Sequence, residues 1–175
     1  MENENKKNDA EYQKLLKEAA EKIIRGDFSI REYYGITDGG LEAIYMVGNE
    51  MYRLKQYDKA RGVFGLLTTL EPLLPKYLAA CGSANFMCKD YATAAQYFRM
   101  AMMRGDYTPK SLLRLTECVI RVNQLDVARR YIDELLKLAK SDKFKDDEES
   151  QMYASRAKMI AESIEKKFKQ EKKAE

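Results

Sequence analysis

Residues 48–64 read GNEMYRLKQYDKARGVF, and residues 82–98 read GSANFMCKDYATAAQYF. The two stretches are 34 positions apart and share a first glycine, a central tyrosine and a closing Ala-x3-Phe. The alanine returns a third time at residue 128. Because a fixed period of this length indicates stacked supersecondary units, the chain is predicted to be an array of helix hairpins.

The shared positions match the tetratricopeptide repeat, whose 34-residue unit is one helix hairpin. Pro75 and Pro109 occupy the same repeat position and are well suited to opening a helix. The repeats are placed at 41–74, 75–108 and 109–142, the third being degenerate. We expect a glycine to face an alanine where the two helices of a repeat cross, since small residues allow close approach.

The sequence outside the repeats divides into three parts. Residues 1–9 are charged and lack an apolar anchor, so they are expected to be disordered. Residues 10–40 are read as an N-terminal helix and connector, because apolar residues recur at helical spacing over 10–25. That helix must bury its stripe against the first repeat or against a second copy. Residues 143–175 are predicted to form a C-terminal capping helix with a charged tail.

Together these patterns predict an all-α fold, a tetratricopeptide solenoid of three repeats between an N-terminal amphipathic helix and a C-terminal capping helix. No apolar stretch approaches the roughly 18 residues of a membrane span. The polar opening residues do not resemble a secretory signal, so a cytoplasmic protein is expected. The net charge of +3 is spread along the chain, and no nucleic-acid partner or membrane insertion is predicted.

Composition also argues against catalysis. The chain has no histidine, the commonest general base and an essential member of many nucleophilic pairs. Its three cysteines, Cys81, Cys88 and Cys118, have no metal-ligand spacing and are read as buried apolar residues. The prediction is a protein that is not an enzyme, with no catalytic residues, no metal and no cofactor.

Function is therefore sought on the concave side, which the first helix of every repeat lines. Positions 5, 9, 12 and 13 of each repeat share one helical stripe. These positions hold twelve side chains, and all of them except Arg53 and Arg121 are expected to form a peptide-binding groove: Tyr45, Asn49, Tyr52, Ala79, Ser83, Phe86, Met87, Leu113, Glu117 and Ile120. Aromatic anchors beside small residues suit an extended apolar peptide. In an alternative interpretation the aromatic residues, Phe86 above all, pack against the N-terminal segment or the last helix.

The runs LEAIYMVGNEMYRLKQYDKARGVF (41–64), GSANFMCKDYATAAQYF (82–98) and LTECVI (115–120) resemble the translocator chaperones of bacterial type III secretion systems, class II (the LcrH/SycD-like class). The resemblance covers about residues 36–140, with Asn49 where the family has a third aromatic. It implies a bacterial cytoplasmic chaperone that binds a short, proline-punctuated segment of hydrophobic translocators and keeps them soluble before export. It also implies a homodimer formed through the N-terminal helix, with four candidate contacts: Leu15, Leu16, Ile23 and Ile24.

A second candidate function is an adaptor that clamps the acidic C-terminal tail of a general chaperone. Asn49, Lys110 and Arg114 match the residues of such clamps, but Tyr45 replaces a lysine and Ala80 a second asparagine. A scaffold that binds another partner peptide is a third possibility, and no residue pattern separates it from the other two.

Overall fold

The computed structural model of the chain describes residues 13, 14, 17, 18, 21 and 30–174, with only the backbone of 167, 168 and 170–174 in the last helix. The expected disorder of 1–9 and the four candidate dimer contacts Leu15, Leu16, Ile23 and Ile24 lie outside the described residues. The chain divides into two compact units, Met1–Thr37 and Asp38–Glu175. In the first unit, residues 13, 14, 17, 18 and 21 are helical, and a short helix α1 spans Ile30–Tyr33.

The second unit is built from helices joined by short turns. Within the part of the chain that the structure describes, no residue is in a strand. Pro75 and Pro109 each open a helix, as their shared repeat position predicts. The helices are α2 (Asp38–Arg53), α3 (Tyr57–Leu70), α4 (Pro75–Met87), α5 (Tyr91–Met103), α6 (Pro109–Arg121), α7 (Leu125–Ala139) and α8 (Glu148–Ala174).

Three hairpins stack in sequence order. Helices α2 and α3, α4 and α5, and α6 and α7 pack as pairs, while α3 packs on α4 and α5 packs on α6. The last helix, α8, lies against both α6 and α7. It buries Ala154, Ala157 and Ile164 in the same core cluster as residues of α5, α6 and α7. The predicted capping helix is therefore part of the core, because it covers the apolar face that the third hairpin leaves open.

In the first two hairpins a glycine of the first helix lies directly against a phenylalanine of the second. Gly48 faces Phe64 of its own hairpin, and a Cβ built on Gly48 would lie 2.5 Å from Phe64 Cε1. Gly82 faces Phe98 in the same way, with a distance of 3.1 Å to Cδ1. The atoms nearest to each of these glycines are therefore those of a phenylalanine, a neighbour that the expected glycine–alanine crossing did not include. The glycine is needed because an aromatic ring occupies the space of its missing side chain.

Each of the three hairpins turns through one residue with left-handed backbone. Lys55, Lys89 and Asn123 have φ of 61°, 66° and 61°, and they are spaced by the repeat period. In each case the next amide N–H donates to a carbonyl five residues back, as Gln56 does to Met51 at 2.9 Å. This is the Schellman ending of a helix, which usually carries glycine or asparagine at the left-handed position. Sequence reasoning missed it because lysine is a poor signal for this conformation.

The first helix of the first hairpin exposes an apolar side chain whose equivalents in the second and third hairpins are buried. Val47 is 50% exposed, whereas its repeat equivalents Cys81 and Leu115 are each 1% exposed. Leu54 is likewise exposed. The difference arises because α4 packs against α3 and α6 packs against α5, the second helices of the preceding repeats. No repeat precedes α2, so its equivalent side is not covered in this way. Within the unit Asp38–Glu175, one side of α2 thus presents exposed apolar side chains.

The start of α8 is held by side-chain hydrogen bonds. The Ser150 amide donates to Asp147 Oδ2 at 2.8 Å, and hydrogen bonds from Ser150 hold the pKa of Asp147 below its ordinary value. The side-chain Nε2 of Gln151 donates to the carbonyls of Ala139 at 2.8 Å and Phe144 at 3.2 Å. These bonds satisfy carbonyl groups at the end of α7 and in the loop after it, and they tie the start of α8 to both.

Candidate functional site

A groove with a cavity of about 570 Å³ lies on the side lined by the first helices of the repeats. Five of the ten predicted residues meet there, since they lie on neighbouring helices at matching heights: Tyr45, Asn49, Tyr52, Ala79 and Ser83. The remaining lining residues are Phe64, Pro75, Lys76, Ala80, Phe98, Gly105, Asp106, Lys110, Ser111 and Arg114. We call this cavity the first cavity.

The Tyr45 ring is fixed in place by three neighbours. Its centroid lies 5.8 Å from that of Phe64 and 5.6 Å from that of Tyr77. Lys76 Nζ stands 3.9 Å from the Tyr45 ring centroid and bonds Glu42 Oε2 at 2.8 Å. Because a ring held on several sides loses little rotamer freedom on binding, Tyr45 is a preorganised aromatic surface at the edge of the groove.

Tyr52 packs edge to face on Tyr57, with 5.3 Å between ring centroids, and Phe86 packs on Tyr91 at the same distance. The two pairs occupy equivalent repeat positions. Burial raises the pKa of the Tyr52 phenol above its ordinary value of 10.0, and the positive charge of Arg114 acts in the opposite direction. Tyr52 therefore keeps its proton near neutral pH and can donate a hydrogen bond.

Two polar side chains that line the first cavity are available to a peptide backbone. Asn49 is half-buried, and its side chain makes no hydrogen bond within the described residues. Ser83 Oγ donates to the Ala79 carbonyl at 2.9 Å, which leaves the hydroxyl oxygen free to accept. The small side chains of Ala79 and Ser83 provide depth between the bulky tyrosines.

The first cavity also holds cations that the concave stripe did not include. Lys76 and Lys110 each follow the opening proline of a helix, and both line the groove together with Arg114. Lys110 has one distant ion pair, 3.9 Å from Glu149. The recurrence of Pro-Lys after 34 residues was the available signal, since it places both lysines at the same height. The lining of the first cavity therefore combines aromatic and small side chains with three cations and the carboxylate of Asp106.

The other predicted residues lie elsewhere. Phe86, Glu117 and Ile120 line a second cavity of about 720 Å³ together with residues of α8. Phe86 thus faces the last helix across this cavity, while its ring packs on Tyr91. We call this space the second cavity, and its other lining residues are Arg114, Arg121, Leu125, Arg156, Met159, Ile160, Ser163 and Ile164. Arg114 lines both cavities.

Two expectations for the groove need correction. Leu113 is 3% exposed and belongs to the core cluster that includes Ala154 and Ala157, so it does not face a peptide. Its burial follows from the packing of α8 against α6. Met87 is exposed but lines neither cavity, because it lies at the end of α4 beyond the stripe that the groove uses.

Glu117 joins α6 to α8. Its side chain is 10% exposed and its Oε2 accepts from Arg114 Nη1 at 3.1 Å. Its other oxygen, Oε1, lies 2.6 Å from Arg156 Nη2 without the alignment of a hydrogen bond, so this contact is an ion pair. One carboxylate therefore holds two guanidinium groups at the border between the cavities.

The cysteines play no part in either cavity. Cys81 and Cys118 are buried as expected, and burial raises the pKa of the Cys118 thiol to about 12. Cys88 is half-buried, so the expectation that all three are buried holds for two of them.

A family model described as tetratricopeptide repeat matches residues 41–72. The chain is similar in structure to the type III secretion translocator chaperone SycD of Yersinia enterocolitica, with a TM-score of 0.69, 19% identity, and coverage of 77% of this chain and 89% of that chain. The fold is that of the type III secretion translocator chaperones. This confirms the all-α repeat fold that the 34-residue period predicts.

Two further solved structures are similar in fold to this chain. PcrH, a protein of Pseudomonas aeruginosa, is solved in complex with the chaperone binding region of PopD, and it gives a TM-score of 0.68, 21% identity, and coverage of 76% and 96%. A type III secretion complex from Aeromonas hydrophila gives a TM-score of 0.74 at 18% identity, with coverage of 86% of this chain and 97% of that chain. Among curated proteins none matches the chain in sequence. None of the helices in the described part of the chain is long and apolar enough to cross a bilayer.

Proposed function

We propose that this chain is a chaperone that binds an extended apolar segment of hydrophobic translocator proteins in its concave groove and keeps them soluble before type III export. The observation that carries the proposal is the first cavity, where Tyr45 and Tyr52 stand beside the small residues Ala79 and Ser83. The translocator-chaperone fold supports it, since PcrH and SycD share that fold and are solved with segments of the translocators PopD and YopD.

The physical basis is burial of apolar surface. A translocator segment that would aggregate in water removes its side chains from solvent against the two tyrosines, at about 25 cal/mol per Å² of apolar area. The half-buried Asn49 amide bonds the backbone of the segment. Binding and release follow mass action, so neither a nucleotide nor another cofactor is required.

The proposed role is non-enzymatic and cytoplasmic. The chain lacks histidine, and no group of three or more acidic or cysteine side chains within the described residues could hold a metal ion.

The proposed domain division keeps the repeats at 41–74, 75–108 and 109–142, flanked by the N-terminal part and the capping helix.

We also propose a homodimer formed through the N-terminal helix. A SycD structure reported as an alternative dimer shows that the fold can pair. The exposed apolar face of α2, with Val47 and Leu54, offers a surface that a helix of this chain or of a second copy can cover.

The adaptor function has one observation in its favour. Asn49, Lys110 and Arg114 line the same cavity, and Lys76 adds a third cation. A clamp for an acidic C-terminal tail would bind through these charges, so its affinity would fall steeply as ionic strength rises. Capture of an apolar segment depends weakly on salt, which separates the two functions.

The deciding experiment is co-expression of the chain with a hydrophobic translocator encoded beside its gene, followed by separation of soluble and pelleted protein. With the wild-type chain the translocator is expected in the soluble fraction. Tyr45→Ala combined with Tyr52→Ala should move it to the pellet, because each anchor contributes about 1 kcal/mol or more. Met87→Ala is the matched control, since Met87 is exposed and outside both cavities.

Circular dichroism of each variant confirms that the helices are intact. A translocator that stays soluble with the double tyrosine variant, or pellets with the wild type, would contradict the proposed function. A pull-down that instead recovers a general chaperone, with binding lost at high salt, would favour the adaptor.

A further inference from the structure

The second cavity combines an apolar wall with an excess of positive charge. Three guanidinium groups line it, those of Arg114, Arg121 and Arg156, against the single carboxylate of Glu117. The apolar wall comes from residues of α4, α6, α7 and α8: Phe86, Ile120, Leu125, Met159, Ile160 and Ile164. A cavity of this composition selects a ligand that is mostly apolar and carries negative charge at one point.

The guanidinium groups retain unused donors. Glu117 engages Nη1 of Arg114 and Nη2 of Arg156, while each guanidinium has five N–H donors. Arg121 makes no ion pair with any described residue, and its Cζ lies 5.6 Å from the ring centroid of Tyr91. Since cations that lose water without a partner are costly, an occupant that desolvates these groups must supply an acceptor.

The two cavities adjoin at Arg114, which lines both. A segment that lies in the first cavity and extends past Arg114 would therefore enter the second. The chain of such a segment runs through both spaces, which favours a side-chain carboxylate within it over the carboxylate at its end. Arginine pairs with carboxylates through two parallel hydrogen bonds, which makes the recognition geometrically specific.

We propose that the second cavity binds an Asp or Glu side chain, with an apolar neighbour, of the same translocator segment that occupies the first cavity. This inference rests on the proposed function and deepens it by naming the chemistry of the client: an apolar segment with an internal acidic residue. Arg121 and Arg156 receive the carboxylate, and Ile120 and Ile160 receive the adjacent apolar side chain.

The test begins with a phage library of random 15-residue peptides, displayed at an internal position so that no peptide has a free C-terminus. Selection on the wild-type chain is expected to enrich peptides in which Asp or Glu recurs beside apolar residues. Binders that lack acidic enrichment and lose affinity with Tyr52→Ala would overturn the inference and leave the proposed function intact. Recovery of no groove-dependent binder would contradict both.

Selected peptides are then synthesised and measured by fluorescence anisotropy. Changing the acidic residue to its amide (Asp→Asn or Glu→Gln) should weaken binding roughly tenfold, and Arg121→Gln in the protein should do the same, as for a hydrogen bond to a charged group. Combining the two changes should cost little more than either alone. Arg121 is chosen because it has no structural ion pair, whereas Arg156 also holds Glu117.

The matched control is Arg99→Gln, which removes an exposed arginine of α5 that lines neither cavity and should leave affinity unchanged. Each peptide is made with a free and an amidated C-terminus. Equal affinity of the acidic and amide-substituted peptides overturns the inference. So does a dependence on the free C-terminus alone, which would instead indicate recognition of a chain end.

Discussion

Gly48 lies directly against the edge of the Phe64 ring, and a Cβ at residue 48 would be 2.5 Å from Phe64 Cε1. The same relationship recurs between Gly82 and Phe98. In the third repeat the equivalent positions hold Thr116, which is fully buried, and Ile132, a smaller residue than phenylalanine. Glycine and phenylalanine thus appear together and disappear together, which shows that the two side-chain volumes are matched within each hairpin.

Gly48→Ala should lower the free energy of unfolding by about 1–3 kcal/mol, because the new methyl group overpacks the Phe64 ring. Gly82→Ala should cost less, since the distance there is 3.1 Å. Gly62→Ala is the control within α3, where a Cβ meets nothing within 4 Å, and it should stabilise the helix by about 0.5–1 kcal/mol. Urea unfolding followed by circular dichroism measures all three, and equal effects at Gly48 and Gly62 would argue against the volume matching.

Lys89→Gly should raise the stability by about 0.5–1 kcal/mol, because Lys89 has a φ of 66° that glycine adopts without steric cost. Lys89→Ala removes the same charge but keeps the Cβ, so no such gain is expected. At the equivalent position of the third hairpin, Asn123→Lys should lower the stability, because asparagine tolerates a left-handed backbone better than lysine does. Thermal unfolding midpoints compare the three variants. If Lys89→Ala raises the midpoint as much as Lys89→Gly does, the increase comes from removal of the charge and not from the backbone conformation.

Glu117→Gln should destabilise the protein by about 1–2 kcal/mol, less than the roughly 3–5 kcal/mol of a fully buried pair because both arginines are half-exposed. Arg156→Gln should lower the free energy of unfolding by a smaller amount, since Arg114 still pairs with Glu117. A double-mutant cycle with both changes measures the coupling between α6 and α8. A coupling energy near zero at low salt would show that the apolar contacts alone hold α8.

Stability should decrease as pH rises from about 9 to about 12, through the thiol of Cys118. Burial raises the pKa of this thiol to about 12 from its ordinary value of 9.0. The folded chain therefore keeps a proton that the unfolded chain releases, so alkaline pH favours the unfolded state. Urea midpoints measured across this range should fall less steeply in Cys118→Ala than in the wild type. Equal slopes in the two proteins would show that Cys118 does not contribute.

Native thiol reactivity gives an independent check. With Ellman's reagent near pH 8, the half-buried Cys88 should react first, and Cys81 and Cys118 only as the protein unfolds. Rapid reaction of two or three thiols in the native protein would contradict the burial of Cys81 and Cys118.

The sequence by itself determined the repeat register and, through it, the helix starts at Pro75 and Pro109 and the meeting of Tyr45, Asn49 and Tyr52 in the groove. These features are local or repeat at fixed spacing, so periodicity reveals them. The left-handed turn at Lys55 also recurs with the repeat period, but it carries lysine instead of glycine or asparagine, so the residue type does not reveal it.

Only the tertiary structure decided what happens around α8. It buries Leu113, places Phe86 and Ile120 in a second cavity, and brings Arg156 within 2.6 Å of Glu117. These residues are far apart in sequence, and α8 lies outside the repeat, so no period relates its positions to theirs. The packing direction of the last helix is set by the apolar surface that the third hairpin leaves exposed. That surface exists only once the hairpins have stacked.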